Sequence, residues 1–260
     1  MSIDIPKLVF LLLVGGFVAA ASAYLGSFMV LKRMSLVGDA LSHVALPGMA
    51  IAISLGISPT LGAFVALMLA IIGIWYLEKT SNTYPEALVG VFFTASLALG
   101  VLLTQESELL EALFGGIEKI GPLEGIISVA VSLVVIILTY VISKKLILSI
   151  ISEDLAVSSG VKLSWVNLLY LVLVGTIVSL GIRFVGTLLM GALVIVPAVA
   201  AKNVTGSIKS YFLLSVVFSV LSSTLGIYIS SLTNAPVGAV VVLASIFIFL
   251  VSYLLSKFRK

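Results

Sequence analysis

Apolar stretches of about 18 residues or more follow one another along nearly the whole chain, and each is long enough to cross a bilayer as a helix. Hydrocarbon offers no water to the backbone, so every N–H and C=O must be satisfied within the segment, which a helix does. Between the stretches the chain leaves about 20 residues or fewer at a time, too few for a folded soluble domain. The expectation is an all-α polytopic membrane protein with one transmembrane domain over residues 1–260. Any catalytic or nucleotide-binding domain has to come from another chain.

Composition agrees. Only 10% of the residues are charged, against about 25% in soluble proteins, and the mean hydropathy is +1.33. Cysteine is absent, which excludes disulfides, iron–sulfur clusters, thiolate metal sites and thiol nucleophiles. A metal here must be held by oxygen and imidazole. The net charge of +3 arises from Lys and Arg scattered at the ends of apolar stretches, a topology signal and not a nucleic-acid surface.

Charge, Gly and Pro divide the chain into nine candidate helices, roughly 8–32, 38–57, 60–79, 86–104, 123–148, 165–182, 184–202, 210–231 and 236–256. With the carboxyl end inside, alternation puts 11 of the 14 basic residues on the cytoplasmic side and leaves Lys7, Lys119 and Arg183 outside. Ala21-Ser22-Ala23 resembles a signal-peptidase site, but Asp4 cancels Lys7 before it, so no positive n-region precedes it. A faint echo relates Arg33, Gly38 and Pro47 to Arg183, Gly186 and Pro197, a pattern that chance also produces.

One segment breaks the apolar pattern, Ser35 to Gly48, and it holds the chain's single histidine. Asp39 and His43 are four residues apart, so a helix projects them from one face, with Ser35 and Ser42 on or beside that stripe. Pro47 lacks an N–H and frees the carbonyl of His43 for a cation or water. An ionisable residue in a membrane helix costs about 2.5–3.5 kcal/mol at its centre, which marks Asp39 as a functional candidate. The plainer reading is an Asp–His pair satisfying itself near a helix end. A second signal is the cytoplasmic loop 152–161, where Glu153 and Asp154 suit a first helical turn and Gly160 a stop, giving a docking helix or a capped solvated loop. The outer loop carries Glu106, Glu108, Glu111, Glu118 and Glu124 against one Lys119, a vestibule that concentrates cations or an ordinary solvated loop. Arg183 reads as a lone interfacial anchor between two helices. Pro197 frees the carbonyl of Leu193 and makes a kink or a hinge.

The run Arg33 to His43 followed by Leu46-Pro47-Gly48 resembles the early signature of zinc- and manganese-type ABC importer permeases. Glu153-Asp154-Leu155-Ala156 with Gly160-Val161 is similar to that family's cytoplasmic loop, and Arg183 to Leu189 through Pro197-Ala198 to its late helix. Length and span count agree across the whole chain. The resemblance implies an ABC importer permease fold in a prokaryotic cell (inner) membrane and a chain that pairs with a second copy of itself. It also implies cytoplasmic ATP-binding subunits and an extracellular or periplasmic metal-binding protein as partners. Asp39 and His43 would then line the metal pathway with Ser35, Ser42 and Pro47 in support, the loop Glu153 to Gly160 would touch the ATPase, and Pro197 is a candidate hinge.

The chain has no G-x-x-x-x-G-K-[ST] phosphate loop, as a permease driven by a separate ATPase requires. No resident cofactor is expected; the divalent ion, zinc, manganese or iron, is cargo. The alternative is a stand-alone ion-coupled secondary transporter using Asp39. An intramembrane enzyme built on Ser42 and His43 is disfavoured because sequence neighbours point to different helix faces.

Overall fold

The computed structural model describes residues 5–81, 83–103, 113, 115–116, 120–233 and 235–258. Ten helices occur among them: α1 (Ile5–Leu31), α2 (Ser35–Ser54), α3 (Pro59–Thr80), α4 (Pro85–Leu103), α5 (Pro122–Ile151), α6 (Glu153–Ser158), α7 (Leu163–Val185), α8 (Thr187–Val204), α9 (Ile208–Thr233) and α10 (Val237–Phe258). Eight of these are long and apolar enough to cross a membrane, and residues Leu189–Val204 of α8 form a shorter apolar helix. All nine expected helices are present, and α6 is the expected turn of the cytoplasmic loop. Of the outer-loop charges, Glu106, Glu108, Glu111, Glu118 and Lys119 lie outside the described residues.

α1, α2 and α7 bury half or more of their apolar windows, whereas α3, α4, α5, α9 and α10 bury a third or less. The outer helices therefore present large apolar side chains outward, such as Phe247 at 67% exposure, which suits a lipid surface. Apolar attraction does not drive helices together in lipid, so close packing and hydrogen bonds must. Gly26 lets α1 lie against the Val194 carbonyl of α8. Hydroxyls tie α1 to its neighbours: Tyr170 donates to the Leu25 carbonyl at 3.0 Å, Tyr211 to that of Ser27 at 3.0 Å and Ser219 to that of Ala19 at 2.9 Å.

Alternation of the helices gathers the turns at two ends. One end brings Lys32, Arg33, Ser81, Tyr84 and Ser152 around one cavity, and the other brings Ser58, Thr60, Glu124 and Arg183 around another. Arg183 is not alone between two helices. It lies in the last turn of α7, and its guanidinium pairs with Glu124 at 3.2 Å. Both partners are partly exposed, so the pair contributes about 0–1 kcal/mol.

Candidate functional site

The site begins with the reversal from α1 to α2, made in three residues. Arg33 adopts φ 61°, and the Met34 N–H reaches the Met29 carbonyl at 2.9 Å while that of Arg33 reaches Val30 at 3.3 Å. This is the Schellman arrangement, which satisfies carbonyls at the end of α1 and turns the chain at once. α2 thus starts at Ser35, three residues before the expected position 38, and Ser35 falls on the helix.

Ser35 and Asp39, one turn apart, face a cleft of about 390 Å³ between α2 and α4, with Arg33, Glu86 and Phe93 also on its walls. His43, one turn further, sets its ring edge to face against Phe93 with centroids 5.5 Å apart. Its Nδ1 is buried and has no hydrogen-bond partner, the kind of group that in a native structure asks for a ligand or a bound water. No hydrogen bond or ion pair joins Asp39 to His43 among the described residues, so this is not a self-satisfied pair. Asp39 lies about 6 Å and His43 about 12 Å along the axis from the start of α2.

Ser42 is fully buried and turns to the other side. Its hydroxyl lies 2.7 Å from both the Asp39 carbonyl and the Thr187 carbonyl, either of which it can donate to. That contact fastens α2 to the first residue of α8. α8 begins there because Gly186, at φ 82°, breaks the helical path. Gly191 of α8 then faces Asp39: a Cβ at this position would lie 2.7 Å from the Asp39 Cβ and 2.8 Å from its Cα. Pro47 is buried, lines an apolar groove among α2, α3 and α4, and leaves α2 unbroken. α8 likewise runs unbroken through Pro197.

Phe93, Thr187 and Gly191 shape the site; Thr187 and Gly191 fall within the late-helix run with no role assigned to them there, and Phe93 lies outside every motif. A phenylalanine or glycine in an apolar stretch carries no signal of its own. Gly191→Val is expected to force α2 away from α8 at Asp39, with about 1–3 kcal/mol of overpacking cost. Thermal melting should fall, whereas Gly16→Ala, whose Cβ meets nothing closer than 4.0 Å, should not lower it.

At the end that holds Lys32, the Ser152 hydroxyl caps α6 by accepting from the Leu155 N–H at 3.2 Å. Ala156 is fully buried, and Glu153, Asp154, Leu155 and Val157 are exposed. Gly160, at φ 78°, reverses the chain toward α7. The turn is thus fixed by one buried alanine and presents an acidic and apolar edge outward.

Comparison with known proteins places these features in context. The profile of the ABC 3 transport family matches residues 5–256. The manganese import system permease protein ScaB of Streptococcus gordonii is 34% identical over 249 residues, covering 94% of this chain and 88% of that protein. A probable iron transport system membrane protein of Haemophilus influenzae is 31% identical, covering 92% and 86%. The solved structure of PsaBC from Streptococcus pneumoniae in complex with Fab superposes with a TM-score of 0.83 at 31% identity, covering 95% of this chain and 91% of that one.

Proposed function

The chain belongs to the ABC 3 transport family, and from that premise we propose that it carries manganese inward across the membrane along a path lined by Asp39 and His43. It is the multi-pass permease subunit of an ABC metal importer in a prokaryotic cell membrane, and like its relatives it is not itself the enzyme. A stand-alone secondary transporter is set aside by that membership. Manganese is the cargo named for ScaB and iron that named for the Haemophilus relative; zinc, which the donor set admits, is not named for either.

The observation that carries the site is the buried, unpartnered Nδ1 of His43, one turn beyond Asp39, which itself lines the α2–α4 cleft. One carboxylate and one imidazole leave a transition metal largely hydrated, because such ions take four or more ligands. Two copies related by a two-fold axis would supply two of each. The exposed edge of α6 suits a cytoplasmic ATPase, and the opposite end of the bundle suits an extracellular metal-binding protein that delivers the ion. Ser35 supports the path from the cleft wall, and Pro197 remains the hinge candidate in α8.

The test is uptake by the reconstituted permease with its ATPase and binding protein, followed by elemental analysis. ATP-dependent manganese accumulation with one tightly bound ion per two chains is the expected result. No ATP-dependent accumulation of manganese, iron or zinc would refute the function, and two equivalent independent sites per dimer would refute the shared path.

A further inference from the structure

Lys32 sits in the reversal between α1 and α2, seven residues before Asp39, and its side chain turns away from the metal site. Its ammonium donates to the Asn167 Oδ1 of α7 at 2.7 Å and lies 5.5 Å from the centre of the Tyr170 ring. Burial pushes the Lys32 pKa down, while Glu153 of α6 and Glu78 of α3 push it back up. Neither carboxylate comes within ion-pair distance of it among the described residues. They face it across a cavity of about 930 Å³ that Arg33, Glu86 and Ser152 also line. Lys32 is therefore bonded to α7 and drawn from a distance toward the first residue of the ATPase-facing turn.

That arrangement sets Lys32 between α6 and the start of α2. α6 is short and held by the single buried Ala156, so a bound ATPase can shift it and change the distance from Glu153 to Lys32. On the other side, the Met34 carbonyl accepts from the Val37 N–H of α2 at 3.1 Å, and only Arg33 and Met34 separate Lys32 from Ser35, so displacement of Lys32 is passed to α2 and to Asp39 about two turns on. We propose that Lys32 is the positioning residue that relays movement of α6 to the metal-site helix, exchanging its bond to Asn167 for the attraction of Glu153 during the transport cycle. The proposal rests on the reading of α6 as the ATPase contact.

Lys32→Met keeps an unbranched apolar side chain at this position and removes the charge that lies over the Tyr170 ring. The expected result in the reconstituted complex is about a tenfold rise in ATP hydrolysed per manganese ion moved, within the usual range for coupling between two sites. ATPase association and manganese binding in detergent should be unchanged, and Lys32→Arg should restore most of the coupling. Asn167→Asp adds a full charge opposite Lys32 and should hold it on α7, raising the melting temperature while slowing uptake about tenfold. A lysine that merely fastened α1 to α7 would give the opposite pattern, with Lys32→Met lowering the melting temperature at an unchanged ATP-to-metal ratio and Asn167→Asp leaving uptake as fast or faster. Either of those results overturns the relay. Should the methionine variant fail to assemble, Asn167→Asp decides alone. If instead α6 is not the ATPase contact, charge reversal at Glu153 and Asp154 leaves the ATPase bound in a pull-down, a failure visible without any Lys32 variant.

Discussion

Replacing Asp39 by Ala is expected to abolish metal uptake, by about 100-fold or more, while the permease still inserts and the proposed dimer and ATPase complex still form. The carboxylate makes no hydrogen bond or ion pair among the described residues, and its side chain lines the cleft between α2 and α4. Removing it therefore breaks no polar contact within the bundle. An unpaired carboxylate one turn inside a membrane span costs less than the roughly 2.5–3.5 kcal/mol of a central one but is still unfavourable, so thermal stability should be kept or rise slightly as transport falls, the trade expected where a destabilising group is kept for function. The size of the loss follows from coordination chemistry: removing even an outer-shell partner of a metal ligand costs about 10–100-fold, and a ligand should cost at least the upper end. His43→Ala should match it in uptake but not in stability, because it removes the ring that packs on Phe93 and opens a small void. Radiometal uptake together with thermal melting in detergent checks both. Near-normal transport in the double variant would remove Asp39 and His43 from the path.

The second large effect belongs to α6. Reversing Glu153 and Asp154 to Lys should release the ATPase and with it all ATP-driven uptake, while manganese binding in detergent stays as before. Both side chains are exposed in the first turn of a six-residue helix, where each reversal costs only about 0.3–1 kcal/mol against the helix dipole. That is too little to unfold a bundle whose core lies in α1, α2 and α7. Ser152→Ala provides the comparison, since it removes the cap, worth about 1 kcal/mol, without altering charge, and should weaken association only modestly. Gly160→Val places a β-branched side chain at φ 78°, which bulky residues avoid, and should displace the turn. Pull-down of the ATPase by each variant measures the effect. Full retention with all three changes would show that the partner docks elsewhere.

Much of the architecture was legible because the bilayer leaves the backbone little choice. Each long apolar stretch had to become a helix, and the short connections turn each span back on the one before, so the helices appear in the expected order with ends displaced by a few residues. The displacements have local causes. α2 starts at Ser35 because Arg33 accepts a left-handed conformation, which nothing in a run of ordinary side chains announces. Arg183 read as a lone anchor because its partner, Glu124, is 59 residues away in the chain and meets it only when α5 and α7 come together. Asp39 and His43 were visible from spacing alone, since four residues make one helical turn.

What the sequence by itself determined, then, was the helical order, the polar stripe of α2 and the capped turn of α6, all consequences of hydrogen-bonding demand and helical period within a single segment. Tertiary structure alone decided that Gly191 faces Asp39, that Phe93 stands against His43, that the Thr187 carbonyl comes within reach of Ser42, and that Lys32 reaches Asn167. The physical reason is that helix packing in lipid selects contacts by shape and by isolated hydrogen bonds between segments far apart in the chain, 152 residues in the case of Asp39 and Gly191 and 200 in that of Ser219 and Ala19. Such pairing leaves no periodicity in either partner.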